Sequence, residues 1–102
     1  MPAHKIKAQF SKTGDMRFIS HLDLIRLFQR ASRRADLPVT ITKGYSPHLK
    51  ISITKALKLG LASDGEDAVF CMDKAVSPAD FIDRINEKLP EGITVKSAED
   101  MI

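Results

Sequence analysis

Two amphipathic helical stretches, each flanked by segments in which apolar and polar residues alternate, set the narrowest limit on how this chain folds. In SHLDLIRLFQRASRRA, residues 20–35, the side chains Leu24, Ile25, Phe28, Ala31 and Ala35 recur at helical spacing, and Leu22 and Leu27 widen the stripe. Ser20 with Asp23 three residues later resembles a capping box, with Asp where Glu or Gln is usual. Pro38 restricts Leu37 to extended conformations, so the spacing predicts a helix from His21 to Ala35. A second helix begins after Ser77. Pro78 stands at its first position, where a missing N–H costs nothing, and Asp80 suits the positive end of the helix dipole. Its stripe is Phe81, Ile82, Ile85 and Leu89, and Pro90 and Gly92 end it.

The remaining segments read as strands. Ile6, Ala8 and Phe10 alternate with Lys5, Lys7 and Gln9, and the turn signal KTGD at 12–15 closes that strand. Val39 and Ile41 alternate with Thr40 and Thr42, and Leu49, Ile51 and Ile53 alternate with Lys50, Ser52 and Thr54. LKLGLASDG, 57–65, reads as an irregular connection closing in a turn. Glu66 to Asp73 is strand-like, with Ala68, Phe70 and Met72 facing one way, and Ile93 with Val95 opens a last strand. Two helices separated by strands bury their stripes only on the sheet, and right-handed crossovers put both on one face. The expected fold is therefore an α+β, ferredoxin-like βαββαβ sandwich: an antiparallel sheet, two helices on one face, and an extra strand or a long bent strand around residues 43–50. At 102 residues the chain is the size of a single domain.

Several function classes are disfavoured by what the sequence lacks. One cysteine, Cys71, makes no internal disulfide and no cysteine-rich zinc site, and it has the opposite parity to Phe70 and Met72 with no adjacent base to activate it. There is no apolar run of bilayer length, no signal-peptide core, no glycine-rich phosphate loop before a helix and no GxSxG elbow. The expectation is a cytoplasmic protein without a membrane span, cofactor or metal, and a binding module rather than an enzyme.

Charge is unevenly placed. Residues 1–50 hold ten Lys and Arg against three Asp, a net +7, whereas residues 51–102 hold six against ten acids, a net −4. Arg26, Arg30 and Arg33 follow at intervals of four and three and so share one helix face; Arg34 adjoins them and Arg17 precedes the helix. Guanidinium forks of this kind bind phosphates in bidentate fashion, although a merely solvated helix face has the same composition. In TKGYSPHLK, 42–50, Gly44 and Pro47 favour a defined loop shape, Tyr45 offers a ring for base stacking, His48 a group titrating near neutrality, and Lys43 and Lys50 charge. The candidate nucleic-acid-binding set is Arg17, Arg26, Arg30, Arg33, Arg34, Lys43, Tyr45, His48 and Lys50. Ser20, His21, Asp23 and His48 form a separate candidate polar site, with no catalytic or metal-ligand role assigned.

RFISHLDLIRLFQRASRRADLPV (17–39), KGYSPHLKISI (43–53) and LKLGLASDGE (57–66) together resemble the radical-SAM-linked bacterial domain of unknown function, DUF2344. The resemblance spans about residues 5–95 and rests on three spaced motifs in order. Ser46 and Leu49 depart from the family's Asn and second Pro, and Ala56 and Lys58 stand where prolines are usual. Family domains are also longer, which makes the expected chain a version of about half length. The resemblance implies an accessory role in radical-SAM RNA modification or RNA processing, with RNA or a radical-SAM or RNA-processing protein as partner. Two alternatives accompany RNA binding through the basic helix face and the 43–50 loop: a module docking an acidic protein surface, and a small enzyme or metal site built from His21, Asp23 and His48.

Overall fold

The computed structural model describes residues 4–42, 44, 47, 49–53 and 63–101. Strand β1 (His4–Lys12) leads through a 3₁₀ turn (Gly14–Phe18) into helix α1 (His21–Arg34). Strands β2 (Ile51–Ile53) and β3 (Ser63–Met72), helix α2 (Pro78–Asn86) and strand β4 (Ile93–Met101) follow. The sheet order is β2-β3-β1-β4 and every neighbouring pair is antiparallel. Strands β1 and β2 thus run the same way with β3 between them, as do β3 and β4 with β1 between them. This is the split crossover pattern of the expected ferredoxin-like α+β arrangement.

A file of aromatic rings shows that both helices cover the same sheet face. Phe28 of α1 meets Phe10 of β1 edge-on at 4.9 Å and Phe70 of β3 at 5.7 Å, and Phe70 meets Phe81 of α2 at 4.9 Å. Rings at these separations prefer edge-to-face contact because the positive ring edge faces the negative π cloud. Ile6, Ala8, Leu24, Ala31, Ala68, Met72 and Ile85 complete the centre of the core. Leu22 departs from the predicted stripe: it is 55% exposed, since it lies on the far side of α1 from Leu24 and Phe28.

Three of the four helix termini have a local chemical cause. The Oγ of Ser20 accepts the N–H of Asp23 at 3.1 Å and the Oγ of Ser77 accepts that of Asp80 at 3.2 Å, each satisfying one orphan donor. In the first box only the serine half is made: the Asp23 carboxylate turns to Arg26 at 3.6 Å. Helix α1 stops before Pro38 acts. Asp36 adopts φ +56°, its N–H donates to the Arg33 carbonyl at 3.1 Å, and the Leu37 N–H donates to the Ser32 carbonyl at 3.0 Å, a Schellman motif with buried Leu37 as its apolar anchor.

The extra strand is resolved in favour of one long bent edge. The Asp73 N–H donates to the Pro38 carbonyl and the Thr40 N–H to the Cys71 carbonyl, while the Cys71 N–H donates to the Lys50 carbonyl. Residues 38–40 and 50–53 therefore occupy the same margin of β3. They are stitched together by Lys50 N–H donating to the Thr40 carbonyl at 2.7 Å and by the Ile41–Leu49 bridge, so the chain leaves the edge at 41 and returns at 49. Two turn readings also need correction. Strand β1 continues to Lys12, and β3 already begins at Ser63, where the sequence suggested a turn; the Lys12–Ser63 pairing, reached through a register shift, draws both segments into the sheet. The rest of the predicted 57–65 connection, up to residue 62, lies outside the described residues.

Candidate functional site

The buried stripe of α1 faces the sheet, and this leaves Arg26, Arg30, Arg33 and Arg34 exposed on its outer side. Arg26 pairs with Asp23, but both side chains are about 60% exposed (61% and 62%), so the pair is well solvated and neutralises little. Among the described residues no carboxylate forms an ion pair with Arg30, Arg33 or Arg34. Arg33 and Arg34 also lie in the last turn of α1, where cations complement the helix dipole. Arg17 is exposed on the 3₁₀ turn and lies 4.9 Å over the ring of Phe18, itself exposed.

Gln29 connects this face to the loop. It stands three residues after Arg26 and four before Arg33, and its Nε2 donates to the Leu49 carbonyl at 3.3 Å. The neck of the 41–49 excursion is thereby tied to the helix that carries the arginines, and exposed Lys50 follows directly on Leu49. Within the excursion Gly44 and Pro47 are exposed, and Gly44 has φ +134°, which favours glycine. Lys43, Tyr45 and His48 lie outside the described residues.

Of the candidate polar site, Ser20 and Asp23 are taken up by the N-terminus of α1, and His21 is an exposed first residue of that helix. Among the described residues no three His, Cys, Asp or Glu side chains are grouped to hold a metal ion. Cys71 lies on the sheet face opposite the helices, as its parity required, yet it is only 5% exposed where the two halves of the bent edge meet. No helix among the described residues is long and apolar enough to cross a membrane.

Three participants escaped the sequence reading. Gln29 was hidden by its position among arginines, and only the return of the chain at Leu49 reveals its use. Lys88, just beyond α2, lines a cleft beside α1 together with Arg30 and Arg34. Arg84 of α2 donates to the carbonyls of Ala35 and Asp36, so the second helix caps the first. None of these carries a local motif, because each acts across a long sequence separation. The outward side of α2 carries Asp80, Asp83 and Glu87, all exposed, so the charge asymmetry of the sequence reappears as a basic helix beside an acidic one.

Residues 5–101 match the sequence profile of a family described as an uncharacterized protein conserved in bacteria, DUF2344. No curated protein and no solved structure matches the chain.

Proposed function

The chain belongs to the DUF2344 family, and we propose that it is a noncatalytic module that binds RNA through phosphate contacts from the outer face of α1 and from the adjoining 43–50 loop. One observation carries this reading: four arginines share the solvent side of a single helix, and three of them have no carboxylate partner among the described residues. Guanidinium groups left unpaired in this way are available as bidentate phosphate ligands. Lys50 extends the charge at the loop neck, and Tyr45 would stack on a base. We infer that the setting is radical-SAM RNA modification or RNA processing, on the resemblance of the 17–39, 43–53 and 57–66 motifs to radical-SAM-linked domains.

A single-stranded RNA bound through four phosphate contacts should lose affinity with a log–log salt slope of about −3, or roughly 50-fold between about 50 and 200 mM salt. The test is fluorescence anisotropy with a labelled oligoribonucleotide across that range, on the native chain and on Arg30→Glu with Arg33→Glu. The double variant should bind at least tenfold more weakly, with a shallower slope of about −1.4. Binding that ignores both salt and charge reversal would rule the reading out.

One feature favours a second reading, a module docking an acidic protein surface. Phe18 and Leu22 are each 55% exposed and Arg17 lies over the Phe18 ring, an apolar and cationic combination suited to a protein partner. Capture of a protein by the native chain that survives nuclease treatment and is lost in Phe18→Ser with Leu22→Ser would support this reading over RNA.

A further inference from the structure

The outer arginines do not all point to one place. Arg30 and Arg34, one helical turn apart, line a cleft between α1 and the segment that follows α2, and Lys88, two residues past the end of α2, lines it from that segment. Its remaining lining includes Leu27, Ala31 and Leu89, of which Ala31 is buried and the other two half-buried. No carboxylate of the described residues lines it. Three cations from two segments thus line one cleft together with Leu27, Ala31 and Leu89, while Arg26 and Arg33 stay outside it on the open face.

We propose that this cleft is a phosphomonoester site, taking the terminal phosphate of a nucleotide or of an RNA end. The reason is charge matching. A phosphodiester brings one negative charge, whereas a phosphomonoester brings about −1.5 to −2 at neutral pH and three strong acceptor oxygens. Two guanidinium forks and one ammonium supply donors for all three oxygens, the forks in bidentate fashion and the ammonium as a point charge. The apolar side chains of the lining, Leu27, Ala31 and Leu89, accept the sugar that carries the phosphate and reduce the water around the ion pairs, which strengthens them. A linear track of diesters has no need of such convergence; Arg26 and Arg33 serve that purpose.

The site belongs to the basic face and, for an RNA end as its ligand, rests on the RNA reading given above; a free mononucleotide tests it separately. The experiment titrates the isotope-labelled full chain with AMP and with adenosine and follows the amide resonances of Ala31 and Leu89. AMP should shift them at concentrations at least about tenfold below those adenosine requires, since only AMP engages the three cations. Lys88→Glu, at an exposed position, should abolish the AMP response, and Arg26→Glu should leave it in place. Equal responses to AMP and adenosine, or an AMP response retained in Lys88→Glu, overturn the proposal. Oligonucleotides with 5′-phosphate and 5′-hydroxyl ends, compared by anisotropy, then separate the two sources of the ligand. A Lys88-dependent AMP response without salt-dependent oligonucleotide binding upholds the cleft and ends the RNA reading. Salt-dependent oligonucleotide binding with no AMP response and no preference for a phosphorylated end does the reverse.

Discussion

Lys12 and Glu66 are charged residues on the core side of the sheet, each side chain only 3% exposed, with Nζ and Oε2 4.0 Å apart. The Oε2 atom accepts no hydrogen bond from the described residues. At that separation the attraction is worth about 4 kcal/mol for an effective dielectric near 20, against a desolvation cost of several kcal/mol per ion. The pair therefore adds little net stability, but each partner strongly requires the other. Glu66→Gln leaves a buried ammonium without a counter-ion and should cost about 3–5 kcal/mol; Lys12→Met should cost a similar amount by stranding the carboxylate. Lys12→Met combined with Glu66→Leu removes both charges and should lie within about 1 kcal/mol of the native chain or above it. The assay is urea unfolding followed by far-ultraviolet circular dichroism, with thermal unfolding as a second measure. For a domain of about 100 residues, a 3 kcal/mol loss lowers Tm by at least about 12 °C. The decisive quantity is the coupling energy of the double-mutant cycle, expected to exceed roughly 2 kcal/mol, for which Glu66→Leu completes the square. Single variants that lose less than about 1 kcal/mol, or a double variant equal to the sum of its parts, would refute the idea that the two buried charges hold each other.

Gly92 should tolerate no side chain. It has φ +99°, and an added Cβ would lie 2.8 Å from the Thr13 carbonyl oxygen and 2.8 Å from Cγ of Met16, so Gly92→Ala should cost about 2 kcal/mol or more in the same unfolding assay. Arg84→Leu removes a guanidinium that caps the carbonyls of Ala35 and Asp36 and pairs with Asp80 at 3.3 Å. It should lose about 1.5–3 kcal/mol, and hydrogen exchange should quicken in the last turn of α1; Arg84→Lys should restore only part, because an ammonium lacks the planar fork.

How far the fold was legible depends on how local its causes were. The two helices, their serine caps and the parity of Phe70 and Met72 against Cys71 all follow from periodicities within a single segment. Those periods also implied the sheet with both helices on one face, since two apolar stripes have nowhere else to go. What was missed depended on pairing. Lys12 and Ser63 read as turn residues until they are set opposite each other on adjacent strands, and the end of α1 was ascribed to Pro38 although the bonds of Asp36 and Leu37 close it first. The candidate arginines were found because a helix face is a local property; Gln29 and Lys88 were not, because their uses lie on other elements.

The amino-acid sequence by itself determined the order of elements, the outward arginines of α1, the capping serines and the identity of the odd loop between two β segments. Tertiary structure alone decided that those β segments are one bent edge, that Gln29 ties the loop neck to the arginine helix, and that Arg30 and Arg34 share a cleft with Lys88. The division has one physical cause. Hydrophobic period and backbone sterics act over a few residues and are written along the chain, whereas hydrogen-bond partners and charge neighbours across a sheet or between helices exist only after the apolar core has fixed where each element lies.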